Sequence, residues 1–132
     1  GAPQDFAVAV EWYRKAAEQG HAGAQFNLGN MYLKGNGVPQ DYAQAVEWYR
    51  LAAEQGDPRA QSNLGKMYSD GHGVVQDYVR AHMWFSLGAG SGASANAAKG
   101  RDIVAARMTP QQIGEAQNMA RDCLARNFKR CN

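Results

Sequence analysis

Apolar positions along the chain recur at a helical spacing, and the whole pattern then recurs. Ala45, Trp48, Tyr49, Ala52 and Ala53 fall on one side of a helix that the spacing predicts over 41–55. Asp41 is placed to cap it, because its carboxylate can accept from the free backbone N–H groups of the first turn. Gln44 stands three residues later, as in a capping box. Gly56 ends the helix by tolerating a left-handed backbone. Asp57-Pro58 starts a second helix, with Asp as cap and Pro in the first turn. Its apolar stripe is Ala60, Leu64, Met67 and Tyr68. The glycine-rich loop Gly71-His72-Gly73-Val74 follows, where positive φ angles and close chain approach suit glycine.

Residues 5–40 align with 41–76 without a gap, and 24 of the 36 positions are identical. The loop Gly35-Asn36-Gly37-Val38 matches the one after the second unit. A third copy begins at Asp77, with Tyr78, Ala81, Trp84 and Gly92 in register. Trp12, Trp48 and Trp84 recur at this period, as do Gly20, Gly56 and Gly92. A period of this length signals a stack of helix pairs, since one pair cannot bury its own apolar face. Small residues such as Ala24, Gly29, Ala52, Ala60 and Gly65 let helices approach closely, with Trp and Tyr filling the gaps. The expected fold is an all-α solenoid of helix-turn-helix repeats forming a single repeat domain over 1–132. Its parts are repeats at 5–40 and 41–76, a divergent last repeat at 77–108, and a capping helix and tail at 109–132.

The C-terminal part departs from the period. A helix is expected over about 93–108, although Gly100 and Arg101 replace the Leu-Gly of the earlier units. Thr109 as cap, Pro110 in the first turn and Gln112 three residues after the cap mark a strong helix start, with Met108 and Ile113 suited to a hydrophobic staple. The last helix, about 110–128, would turn Ile113, Ala116, Ala120, Cys123, Leu124 and Phe128 inward. At the other end, Gly1–Gln4 aligns with the loop end Gly37–Gln40. Further repeats are therefore expected upstream, and a leading helix without them would expose a stacking face and favour self-association.

Composition narrows the functional classes. Net charge is +2, too mild for the dense basic stripe of a nucleic-acid binder. No apolar run approaches the roughly 20 residues that span a membrane. His21, His72 and His82 do not recur as a set, so neither a metal site nor a catalytic one is expected, and no cofactor either. The loop glycines lack the Lys-Ser/Thr of a phosphate loop. Arg126, Lys129 and Arg130 suit a helix C-terminus, where cations are favoured. Cys123 and Cys131 would lie roughly 12 Å apart on a continuous helix, whereas a disulfide needs Cα atoms within about 7 Å. A bridge requires the helix to end near Asn127 and the tail to fold back; the alternative is two unrelated thiols. The bridge would indicate an oxidising compartment, periplasmic or secreted, and free thiols would suit the cytoplasm.

Ala45-Val-Glu-Trp48-Tyr49-Arg-Leu-Ala52-Ala53-Glu-Gln-Gly56, Ala60-Gln-Ser-Asn-Leu64-Gly65-Lys-Met-Tyr68 and Gly71-His-Gly73-Val74 resemble the Sel-1-like repeat family, relatives of tetratricopeptide repeats. The resemblance covers residues 5–92 closely, and the segment around Met108-Thr109-Pro110-Gln111-Gln112-Ile113 looks like the ending of bacterial members. It implies a scaffold with a concave face that binds a protein or peptide, and no enzyme activity. One helix of each pair would line that face. The implied lining is Arg59, Ser62, Lys66, Ser69 and Asp70 in one unit, and Gly23, Phe26, Asn30, Leu33 and Lys34 in the preceding one. Phe26 and Leu33 are apolar yet lie off the core stripe, so an exposed Phe26 beside Lys34 and Lys66 would suit an apolar, acidic peptide; alternatively Phe26 packs on a neighbouring helix. Cysteine-rich members clamp adjoining helices with cysteines at the spacing of Cys123 and Cys131, though within repeats. Some such relatives have been linked to β-lactams. Here Ser62 and Lys66 are four apart and miss the Ser-x-x-Lys spacing, and Ser69-Asp70-Gly71 only half matches Ser-Asp-Asn. A structural module acting through its stacking ends is the competing expectation.

Overall fold

The computed structural model describes residues 3–90 and 95–131, which form seven helices and, among those residues, no strand. They are α1 (Pro3–Glu18), α2 (Ala22–Lys34), α3 (Tyr42–Glu54), α4 (Pro58–Asp70), α5 (Tyr78–Gly90), α6 (Ala95–Ala105) and α7 (Pro110–Ala125). Gly92 and Ala93 lie outside the described residues. From α1 to α6 each helix packs on the next in sequence, α4 also contacts α6, and α7 packs on α5 rather than on α6.

The start and stop chemistry of the helices follows the sequence. Asp41 caps α3 by accepting from the Gln44 N–H at 3.1 Å, and Asp57 caps α4 by accepting from the Arg59 and Ala60 N–H groups. The reciprocal box forms at α7, where Thr109 and Gln112 each bond the other's backbone. Gly35 and Gly71 end α2 and α4 with φ near +70°, donating back to Met31 and Met67. The second glycine of each loop has a different task. A Cβ on Gly37 would lie 2.6 Å from the Phe6 carbonyl oxygen, and one on Gly73 2.5 Å from that of Tyr42. Both loops thus rest on the first turn of their own unit's leading helix.

Buried amides tie the two helices of a unit together in the same way twice. Gln25 donates to the Ala17 carbonyl and Gln61 to that of Ala53, both at 3.1 Å. Each adds a side-chain donor to a carbonyl at the end of the preceding helix, beside the Gly20 or Gly56 N–H, and the bond it makes is why a glutamine is tolerated in the core. Arg14 and Arg50 reach the hydroxyls of Tyr32 and Tyr68 in turn.

The core is continuous from α3 to the tail. Its anchors are Tyr49, Leu64, Met83 and Trp84, with Val46 and Val104 between them. Ala60, Leu64, Met67 and Tyr68 are buried as their spacing predicted. Small residues set the helix spacing: a Cβ on Gly29 would lie 2.7 Å from the Tyr49 ring, and one on Gly65 2.8 Å from the Phe85 ring. The tryptophans are not equivalent. Trp84 is fully buried, Trp48 is half-buried, and Trp12 is 70% exposed.

The C-terminal expectation needs correction. Helix α6 closes at Ala105, and α7 closes at Ala125 rather than near 128. Asn127 and Phe128 take left-handed backbone angles, which turn the tail back. Phe128 therefore leaves the inner face of α7 and sits against Gly56 at the end of α3. Leu124, expected inside, is exposed.

Candidate functional site

Helices α2, α4 and α6 share one side of the stack and enclose a groove there. Its larger hollow, about 550 Å³, is lined by Phe26 from α2, by Arg59, Ser62, Asn63, Lys66, Ser69 and Asp70 from α4, by Phe85, and by Asn96, Lys99, Gly100, Ile103 and Val104 around α6. A second hollow of about 300 Å³ continues it past Asn63, Lys66 and Asp70 to Leu33, Tyr42, Tyr49, Met67 and His72. The structure thus brings Phe26, Leu33, Arg59, Ser62, Lys66, Ser69 and Asp70 to one surface. Gly23 and Lys34 are exposed outside both hollows. Asn30 lies beneath, accepting from the Tyr49 hydroxyl at 2.5 Å and from the Asn63 amide at 3.4 Å.

Phe26 is half-buried rather than exposed. The Arg59 guanidinium lies 4.4 Å from its ring centre, and the Tyr49 ring is tilted against it at 5.9 Å. Asp57 holds Arg59 on its other side with an ion pair at 3.0 Å, which keeps the guanidinium above even its ordinary value. Phe26, Arg59 and Asp57 are therefore joined in one chain of contacts at this wall of the groove. Burial pushes the Tyr49 hydroxyl up to about 12, partly opposed by Asn63, so it stays a neutral hydrogen-bond donor. At the far end the His72 ring stacks on Tyr42 at 4.5 Å.

Sequence reasoning missed more than half of this lining: Tyr42, Tyr49, Asn63, Met67, His72 and the whole contribution of α5 and α6. A signal for part of it was present. The two aligned units differ at 12 positions (36 less 24 identities). Seven of these line the groove in the second unit: Tyr42, Arg59, Ser62, Lys66, Ser69, Asp70 and His72. The buried core and the loop glycines stay the same. The α6 residues gave no such signal, because that segment has lost the period.

Cys123 and Cys131 are bonded, with Cα atoms 5.2 Å apart. The tail they close is also held by Lys129, which donates to the Glu54 carbonyl at 3.1 Å. The histidines are scattered. His21 is exposed, His72 is in the groove, and His82 is buried beside Ser86. Burial, then Arg101, hold His82 below the usual histidine value, with Asp102 opposing. Among the described residues no three His, Cys, Asp or Glu side chains are grouped to hold a metal. Among the described residues no helix is long and apolar enough to cross a membrane.

A stack of near-identical helix pairs, bonded alike within each pair and variable along one groove, defines a helical-repeat protein of the solenoid class. The Sel1 repeat profile matches residues 1–21, 22–57 and 58–99, cutting the same period at a different point from the units described above. The chain belongs to the Sel1 repeat family, whose fold is generally a protein–protein interaction module. It is similar to the crystal structure of a protective antigen of uropathogenic Escherichia coli strains that displays an SLR fold: 38% identity, TM-score 0.93, covering 99% of this chain and 28% of that one. It therefore spans less than a third of that antigen's length. It is also similar to a Sel1 repeat protein from Oxalobacter formigenes, at 43% identity and a TM-score of 0.62 over 63% of each chain. No curated protein matches it.

Proposed function

We propose that this chain is a non-catalytic scaffold that holds a peptide or helix of a protein partner in the groove of α2, α4 and α6. The observation that carries the reading is the placement of the differences between its two best-matched units. Seven of the twelve fall on the groove, while the residues that pack the stack are repeated. A surface whose side chains vary on a fixed frame is suited to recognition. The wall of Phe26, Arg59 and Asp57 is already ordered, so binding there avoids part of the entropy cost of fixing side chains. The Cys123–Cys131 bond favours an oxidising, extracytoplasmic compartment.

A second reading has its own support. Val8 and Trp12 are 53% and 70% exposed on α1, an apolar face that suits assembly through the end of the stack. Affinity capture from cell-envelope extract, with Ser69→Arg and Trp12→Glu variants alongside, separates the two. The groove reading expects a partner that the parent and Trp12→Glu retain and Ser69→Arg loses. The reverse pattern would replace it with the assembly reading.

A further inference from the structure

The groove's charge and its apolar floor together specify what kind of segment it takes. Ile103 and Val104 of α6 and Phe85 of α5 give the larger hollow an apolar base. Ile103 is 63% exposed, a large aliphatic side chain left facing solvent inside a concave site. Lys66 from α4 and Lys99 from α6 flank that base, one from each wall, and both are exposed. Each is an ammonium without an acidic partner among the described residues, whereas Arg50, Arg59, Arg80 and Arg101 all have one. Among the described residues Asp70 is the one carboxylate in the lining of either hollow, and it lies at the α4 C-terminus where the two hollows meet. Counting Arg59, the larger hollow presents three cations to one anion.

Resting on the groove reading above, we infer that the partner segment is acidic: an apolar side chain seated on Ile103 and Phe85, with carboxylates on both sides of it meeting Lys66 and Lys99. Asn63 and Asn96 stand beside the two lysines and supply amide donors to the same carboxylates or to the segment's backbone. Nucleic acid fits this site poorly. Three cations around an apolar floor are fewer than a backbone-tracking channel uses, and the floor offers Ile and Val where stacked bases need aromatic faces.

The test is fluorescence anisotropy with a short fluorescein-labelled peptide in which two Glu flank each side of a Phe-Leu pair. Its Gln-for-Glu and Lys-for-Glu counterparts and a short single-stranded DNA serve as comparisons. The Glu peptide is expected to bind, and Lys66→Glu with Lys99→Glu to weaken it by about tenfold, the sum of two exposed charge reversals. Raising salt should weaken it in the same direction as the Debye length shrinks. Ile103→Ser should weaken the Glu and Gln peptides alike. All three side chains are exposed, so unchanged melting curves are expected to show that the variants fold. Equal binding of Glu and Gln peptides, both lost in Ile103→Ser, would overturn the acidic preference and leave the groove standing. DNA binding as tight as the Glu peptide, or no binding of any peptide, would also overturn the inference. The capture experiment with Ser69→Arg then decides the groove by itself.

Discussion

Trp12 and Trp84 occupy the same position in the first and third copies of one motif, yet one is 70% exposed and the other fully buried. The difference lies in their neighbours. Trp84 sits on α5, which α4, α6 and α7 all contact, whereas α1 packs chiefly on α2. Trp48, between them, is half-buried, and its indole N–H is enclosed without a partner among the described residues. In a stacked protein the repeat dictates which face of a helix is apolar, and the position in the array decides whether that face is covered.

The largest effect should separate the two ends directly. Trp84→Ala is expected to cost about 3–5 kcal/mol, the usual range for emptying a large buried aromatic site. Trp12→Ala should stay within about 0.5 kcal/mol. Urea unfolding of both variants checks this, and equal losses would mean that α1 is covered in solution. The glycines give a second contrast. Gly65→Ala drives a methyl into the Phe85 ring and should cost about 1–3 kcal/mol. Gly114→Ala, with open space around it in α7, should stabilise by up to about 1 kcal/mol through helix propensity. Thermal melts would show the opposite signs.

The caps sharpen the comparison between the first and second units. His21 stands at the α2 N-cap without a side-chain cap bond, where Asp57 caps α4. His21→Asp should gain, and Asp57→Ala lose, about 1 kcal/mol. The smallest effect is expected at His82, which replaces Val10 and Val46 of the earlier units. Its folded value lies below 6.5, so it stays neutral in the fold while the unfolded chain takes up the proton first. Stability should thus be complete above pH 6.5 and fall as the pH drops through the window just beneath it. His82→Val should flatten that slope in melting curves taken across the window.

The fold was legible because a period repeated with 24 identities fixes helix faces, caps and loops at once. The stripe Ala60, Leu64, Met67 and Tyr68 needed nothing beyond its spacing. Four things were not legible, each for a physical reason. Gln25 and Gln61 look polar and exposed in a sequence, but the carbonyls they satisfy belong to the previous helix end. Phe128 continues an apolar stripe by spacing, and only the left-handed backbone at Asn127 and Phe128 takes it off the helix. In the groove, Phe26 passes for a free anchor until Arg59, which is 33 positions later, is seen to cover it. The α6 wall could not be placed from a segment that has lost the repeat.

Gly29 receives the ring of Tyr49 and Gly65 that of Phe85, each 20 residues further along the chain. The two halves of this contact therefore belong to different copies of the motif, and every full copy carries both a cavity for its successor and a ring for its predecessor. Unequal crossing-over between such copies in the gene would add or delete 36 residues and rejoin a glycine to an aromatic at the new junction, wherever within the period the cut falls. Array length is then something recombination can change in one step without disturbing the core. Each inserted copy also brings a fresh set of groove-lining positions at Ser62, Lys66, Ser69 and their equivalents, free to diverge afterwards while the packing residues stay fixed.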